Sequence, residues 1–206
     1  MRIVRTLAVV DPELCTGCTI CDRVCPTLAI VTDRKSHLAA VDDAACTGCP
    51  ACEQRCPEGA IRMVARERPY TIAVPVRPED RETIAAICRK ARFHPEQIIC
   101  YCTATRADEI VSAILQGAHT PELISVRTGV RTGCTVECQQ PMLRLLEAAG
   151  HRPTPPKGGW QWYGRTVTAW EIPQSVKQKY SGRGFYFDAD LDVFERVVNA
   201  PPQEEE

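Results

Sequence analysis

Eight of the thirteen cysteines occur as one run repeated twice, and this duplication constrains the fold more than any other feature of the chain. The first copy is Cys15, Cys18, Cys21 and Cys25, followed by Pro26. The second copy begins 31 residues later and is Cys46, Cys49, Cys52 and Cys56, followed by Pro57. This spacing is typical of the thiolate ligands of two 4Fe-4S clusters. The run is therefore expected to hold two 4Fe-4S clusters.

Each run in such a pair supplies three thiolates to one cluster and lends its fourth to the other. The first predicted cysteine set is therefore Cys15, Cys18, Cys21 and Cys56. The second predicted set is Cys25, Cys46, Cys49 and Cys52. This exchange of ligands would hold the two halves together as one compact unit.

The repeat extends beyond the ligands, since Thr16-Gly17 returns as Thr47-Gly48. Such a duplication indicates two copies of one supersecondary unit. Residues 3 to 65 closely resemble the bacterial-type ferredoxin family, and the resemblance implies two βαβ-like halves with the clusters between them. Apolar residues predict an opening strand within residues 3–9 and a closing strand over 60–64.

A zinc module and a disulfide framework are the alternative interpretations of these eight cysteines. Zinc sites usually separate two CxxC pairs by a dozen or more residues, whereas here three cysteines in step precede a fourth. Disulfides belong mainly to secreted proteins, and the first ten residues lack an apolar stretch long enough for a signal segment. We therefore expect neither.

Composition predicts a soluble, cytoplasmic protein. The chain has 206 residues, a formal net charge of −1 and no apolar run near the length of a membrane span. Each bound all-cysteine cluster would add about two negative charges. The resulting acidity, with no cluster of lysines, disfavours nucleic acid as a partner.

The character of the chain changes after residue 65, where charged residues and prolines indicate a linker with a short extended segment over 71–76. A helix is predicted from about residue 81 to 91, with Ile84, Ile87 and Cys88 on one side. We predict four parts: a two-4Fe-4S domain (1–65), a linker with a helix (66–96), a small helical domain (97–150) and an aromatic, proline-rich extension (151–206). The predicted fold class is α+β.

A second group of four cysteines lies in the third part. Its members are Cys100, Cys102, Cys134 and Cys138. Residues 97 to 150 resemble the bacterioferritin-associated ferredoxin-like domain, which binds one 2Fe-2S cluster through a CxC pair and a second cysteine pair. The resemblance implies that these four residues, the third cysteine set, hold such a cluster.

Helix signals surround the third set. Thr105 is predicted to cap one helix, Thr120-Pro121 to open a second that ends near Gly129, and Pro141 to start a third that ends at Gly150. The second cysteine pair departs from the usual CxxC spacing, because three residues separate its members. A local turn could absorb the extra residue. The alternatives are a zinc site with the same ligands or buried thiols.

Cys88 is the remaining cysteine. Beside Ile84 and Ile87 it is interpreted as a small core residue. The alternative is that Cys88 replaces Cys138 as a ligand if Cys138 lies out of reach.

The extension contains nine of the twelve aromatic residues. They are Trp160, Trp162, Tyr163, Trp170, Tyr180, Phe185, Tyr186, Phe187 and Phe194. Fewer than sixty residues with little helical periodicity cannot easily bury so many rings. The extension is expected either to fold back over the cluster domains or to dock on a partner, with a final helix within residues 188–199 and a solvated acidic end.

Sequence motifs for other chemistry are absent: there is no GxGxxG, Walker, HExxH or GxSxG pattern. We therefore find no catalytic site in the sequence. The favoured interpretation is the electron-transfer subunit of a larger oxidoreductase, with two 4Fe-4S clusters and one 2Fe-2S cluster. These clusters would pass electrons between a flavoprotein or other catalytic subunit and an electron carrier. The carrier could be a soluble protein. The alternative is a free-standing regulatory or iron-delivery adaptor.

Overall fold

The structure is a computed structural model and describes residues 2–155 and 164–202. Within these ranges the fold is α+β. Its strands are β1 (Arg2–Val10), β2 (Ile30–Thr32), β3 (Ala39–Val41), β4 (Ile61–Ile72), β5 (Ile98–Cys100) and β6 (Thr105–Arg106). Its helices are α1 (Ile20–Val24), α2 (Ala51–Arg55), α3 (Arg81–Lys90), α4 (Ala107–Leu115), α5 (Pro121–Thr128), α6 (Gln139–Ala148), α7 (Gln174–Ser181) and α8 (Leu191–Val198). Short 3-10 turns cover Pro78–Asp80 and Ala169–Glu171.

The first half of the chain contains two antiparallel strand pairs. β1 pairs with β4, from Val10 opposite Ile61 to Arg2 opposite Ile72, and β2 pairs with β3. The elements follow the order β1–α1–β2 and then β3–α2–β4, which matches the sequence repeat. The predicted strands at 3–9 and 60–64 are confirmed, although β4 continues to Ile72 because it pairs with the whole of β1.

The described residues form two apolar cores. One is built largely on buried cysteines of the first two sets, with Ala8, Ile30 and Ile61 among the residues around them. The other joins α3, α4, α5 and α6 and includes Cys88, Cys100 and Cys138. The predicted helix over 81–91 is confirmed, and its buried residues Ile84 and Cys88 belong to this second core.

Two predicted helix starts were wrong. Thr105 lies in β6, and Arg106 caps α4 instead, with its backbone N–H donating to the Glu109 carboxylate across 2.8 Å. Pro141 lies inside the first turn of α6, where the missing N–H of a proline costs no helical hydrogen bond.

The predicted ends of α5 are confirmed. Thr120 Oγ1 accepts from the Leu123 backbone N–H across 3.3 Å, and Gly129 closes the helix with a φ of 76°.

The described part of the extension folds back on the second core. Trp170 stacks on Phe194 of α8 with the ring centroids 4.8 Å apart. Arg144 of α6 donates to Glu171 across 3.3 Å, and Arg92 forms an ion pair with Glu195 across 2.6 Å. The final helix is confirmed as α8, whereas α7 was not predicted. Trp160, Trp162 and Tyr163 lie outside the described residues.

Candidate iron–sulfur cluster sites

The first cysteine set surrounds one cavity. Cys15, Cys18, Cys21 and Cys56 all line it. Three of them lie in the loop before α1 or in α1 itself, while Cys56 follows the last residue of α2 and thus comes from the other half. The structure therefore brings together the four thiols that the exchange of ligands predicts.

Glycine shapes the loop of the first set. Gly17 has a φ of 69°, and a side chain there would also clash with the carbonyl oxygen of His37. Only glycine meets both conditions without strain. The same conformation returns at Gly48, with a φ of 68° and the carbonyl oxygen of Thr6 2.7 Å from the position of an added Cβ.

The four thiols of the second set are all buried and close enough to influence one another. They are Cys25, Cys46, Cys49 and Cys52. Burial raises the pKa of the Cys49 thiol, and the nearby sulfurs of Cys25 and Cys46 raise it further. Burial and the same group of sulfurs raise the pKa of Cys52 to about 12. Four thiolates gathered in such a place are costly without cations, and bound iron removes that cost.

A buried hydroxyl beside the second set also fits a bound cluster. Among the described residues, the Thr47 Oγ1 atom is buried without a hydrogen-bond partner. Buried hydroxyls are nearly always paired. Thr47 lies in the loop between Cys46 and Cys49, where cluster sulfur would provide an acceptor. The residues present therefore suit a 4Fe-4S cluster.

The third set forms two thiol pairs. The side chains of Cys100 and Cys138 are hydrogen-bonded to each other, which lowers the pKa of Cys100 and raises that of Cys138. Cys102 Sγ accepts from the backbone N–H of Cys134 across 3.3 Å. Cys100 and Cys138 are buried, whereas Cys102 and Cys134 are exposed. A 2Fe-2S cluster needs two ligands on each of its two irons, so the donor set suits that cofactor.

Backbone geometry absorbs the additional residue between Cys134 and Cys138. Thr135 adopts a φ of 62°, and Arg131, shortly before the pair, adopts a φ of 68°. Backbone N–H groups of Val136 and Glu137 donate to the Cys134 sulfur and lower its pKa. Cys138 thus reaches Cys100 despite the wider spacing.

The pKa values of Cys100 and Cys138 depend on each other, whereas that of Cys88 depends on burial and Asp108. Cys88 therefore lies apart from the third set. It is fully buried in the second core, and burial, followed by the charge of Asp108, raises its pKa to about 12. The structure favours the interpretation as a core residue over the role of substitute ligand.

Sequence reasoning missed the polar residues around the first two sets. Arg66 Nη2 donates to the Cys46 carbonyl oxygen across 2.7 Å, and Tyr70 donates to the same oxygen across 3.0 Å. Asp22 accepts from the Cys21 thiol across 3.4 Å. The repeat could have directed attention to Asp22, which follows Cys21 as Glu53 follows Cys52, but nothing in the sequence placed Arg66 beside Cys46.

A single-ion site is a different arrangement. Within residues 2–155 and 164–202, no three histidine, cysteine or acidic side chains converge on one metal position. A cluster does not require such convergence, because its thiolates bind different irons. The same ranges contain no helix long and apolar enough to cross a membrane.

Comparison with known families agrees with the placement of the cysteines. The 4Fe-4S dicluster domain family matches residues 14–61, which include both copies of the repeat. The BFD-like 2Fe-2S binding domain family matches residues 98–148, which include the third set. The chain carries both iron–sulfur domains. These matches indicate metal binding through a ferredoxin-like 4Fe-4S domain and a 2Fe-2S binding domain. No curated protein matches the chain significantly.

Proposed function

We propose that this protein is the electron-transfer subunit of a cytoplasmic oxidoreductase complex and binds two 4Fe-4S clusters and one 2Fe-2S cluster. The three cysteine sets are the proposed ligands. Each cluster, when bound, would accept and release one electron. The proposed partners are a flavoprotein or other catalytic subunit on one side and an electron carrier on the other, and the chain itself has no assigned catalytic residue.

The observation that carries this proposal is the contact between the two cluster-binding units. Arg2 of β1 lies against Gly129, the residue that ends α5, with its Cδ 3.2 Å from the position of an added Cβ. Its charge also acts on Cys49 of the second set and lowers the pKa of that thiol, against the larger effect of burial. Arg2 therefore connects the surroundings of the second set to the segment that leads to Cys134.

The different exposure of the three cysteine sets supports electron transfer through the chain. Cys18 of the first set is exposed, the second set is buried, and Cys102 and Cys134 of the third set are exposed again. Two accessible ends separated by a buried centre suit a protein that takes up electrons at one place and delivers them at another. The proposed division of the chain is 1–65, 66–96, 97–150 and 151–206. The two separate cores support the separation of the first part from the third, although β4 continues to Ile72 and α3 packs in the second core.

The test is an anaerobic titration of the reconstituted protein with dithionite, followed by EPR. We expect uptake of about three electrons per chain, one for each cluster. A Cys102→Ala variant should take up about two, because only the third set is damaged. Absence of reversible uptake in the unmodified chain would overturn the proposal.

The partner requires a separate test. The tagged chain should be recovered from its native cells under anaerobic conditions, and the recovered complex examined for flavin absorbance. A flavin-containing subunit in fixed stoichiometry is the expected result. Recovery of a ferritin shell instead would favour the adaptor role.

A further inference from the structure

The two halves of the repeat place different charges around equivalent cysteines. Positions 31 residues apart correspond, so Cys21 matches Cys52 and Cys15 matches Cys46. Equal surroundings would give the two sets similar affinities for an added electron, because net charge and hydrogen bonding set the potential of a cluster. The charged and hydrogen-bonding groups around the first set differ from those around the second set.

A carboxylate lies directly beside the first set. Asp22 Oδ1 is 3.4 Å from Cys21 Sγ and is held there by the Thr32 hydroxyl, 2.8 Å away. The equivalent Glu53 is one methylene longer, and its Oε1 atom accepts from the Met63 backbone N–H across 2.9 Å. Glu58, an acidic residue exposed to solvent, also lines the cavity of the first set.

A hydroxyl replaces Glu58 in the other half. The residue equivalent to Glu58 is Thr27, and its Oγ1 lies 3.5 Å from Cys25 Sγ. The backbone N–H of Ala29 donates to the same sulfur across 3.2 Å. When Cys25 is a thiolate, the Thr27 hydroxyl can only donate to it.

A guanidinium and a phenol lie behind the second set. Arg66 donates to the Cys46 and Asp43 carbonyl oxygens across 2.7 and 2.8 Å, and its side chain is only 7% exposed. It also lies 5.0 Å from the centroid of the Tyr70 ring. The equivalents of Arg66 and Tyr70 in the other half are Lys35, which is exposed, and Ala39, which has no hydroxyl.

Two features of the second set disfavour an added electron there. Asp43 forms an ion pair with Arg66, but its side chain is 67% exposed, so water and salt screen its charge. Burial of the second set disfavours a more negative state. The same low dielectric, however, strengthens the attraction of the buried guanidinium for that charge.

We propose that the second cysteine set has the higher redox potential of the two 4Fe-4S sites, because Arg66 and Tyr70 stabilise added negative charge there whereas Asp22 opposes it at the first set. An electron shared between the two sites therefore resides mainly at the second, which is reduced as the first is oxidised. This exchange moves one electron and needs no proton or further reagent. The inference rests on the proposed binding of both 4Fe-4S clusters, which are cubes of iron and sulfur. It adds a direction of electron transfer, from the first set to the second, which lies on the side of Arg2 and the third set.

The test is a redox titration of the reconstituted protein followed by EPR, with a ligand variant at each site, Cys18→Ser and Cys49→Ser, to assign the signals. We expect the first electron taken up by the cubes to enter at the second set. An Arg66→Gln variant should reduce the preference for that set by about tenfold, which is about 59 mV for one electron. Arg66→Lys should retain most of it, and Arg68→Gln, which removes an exposed arginine from the same strand, should leave it unchanged.

An Asp22→Asn variant provides an independent test at the other site. The amide oxygen can still accept from Thr32, so the potential of the first set should rise while its iron content is retained. Glu13→Gln, at an exposed position in the same half, is the control. The inference would be overturned if the first electron entered at the first set, or if Arg66→Gln and Arg68→Gln changed the preference for the second set equally. Either result would leave the proposed function intact. Failure of both cubes to assemble in the unmodified chain would instead overturn the proposed function.

Discussion

The backbone N–H of Cys134 donates to the sulfur of Cys102 across 3.3 Å, although Cys134 lies 32 positions after Cys102 in the chain. The intervening residues form α4 and α5, whose packing in the second core brings the two cysteine pairs together. The third set is therefore built by the helices, and its integrity can be tested by single substitutions.

Removal of Cys138 should abolish the 2Fe-2S cluster, because this thiol lies against Cys100. We expect Cys138→Ala to lose the visible absorption and EPR signal of that cluster while both cubes remain. The matched control is Cys88→Ala, which also removes a buried thiol from the second core and should retain the 2Fe-2S signal. Loss of that signal in the Cys88 variant alone would show that Cys88 is the ligand.

Replacement of Gly17 by alanine should destabilise the loaded protein more than the same change at Gly59. Both glycines have positive φ, 69° and 63°, so each substitution incurs a backbone cost of about 1–2 kcal/mol. Only at Gly17 does the new Cβ meet the carbonyl oxygen of His37, whereas nothing lies within 4 Å at Gly59. The midpoints of thermal unfolding should differ accordingly, and equal midpoints would contradict the steric argument.

Arg144 should hold the extension on the second core. Its side chain is 6% exposed, donates to Glu171 and to the Thr166 carbonyl oxygen, and lies 5.8 Å from the centroid of the Trp170 ring. Hydrogen bonds to charged groups contribute about 1.5–3 kcal/mol. We expect Arg144→Met to increase amide hydrogen exchange in α8 by about tenfold or more. Arg152→Met removes an arginine that is 85% exposed and should have no such effect.

Acid should loosen the extension through Glu171. Burial alone would raise its pKa, but hydrogen bonds from Thr168, Arg165 and Arg144 hold the pKa at about 2, below the ordinary 4.5. Because the folded-state value is the lower one, the stabilisation is present above about pH 4.5 and disappears as the pH falls towards about 2.

The measurement is the fluorescence of Trp170 in a chain with Trp160 and Trp162 changed to phenylalanine. A Glu171→Gln variant should lack the transition in this range. An identical transition in both chains would assign the pH dependence to another group.

The cysteine repeat carried most of what could be predicted. Ligand spacing is a local property, so the cysteines that line the cavity of the first set could be named from sequence. Apolar and capping patterns are also local, and they predicted the strand at 3–9 and both ends of α5. The placement of Arg66 beside Cys46 did not, because it depends on the pairing of β4 with β1 and on the length of β4. The cap of α4 was also mispredicted, since threonine is the better capping residue but Thr105 pairs with Cys100 in the β5–β6 ladder, so that the helix begins one residue later.

The iron and sulfide content of the anaerobically reconstituted chain, measured together with its Mössbauer spectrum, tests the central claim most directly. Two cubes and one 2Fe-2S cluster predict about ten irons and about ten sulfides per chain, four-fifths of the iron in 4Fe-4S environments. A preparation that instead binds zinc at these cysteines, or that holds iron without sulfide, would contradict the account.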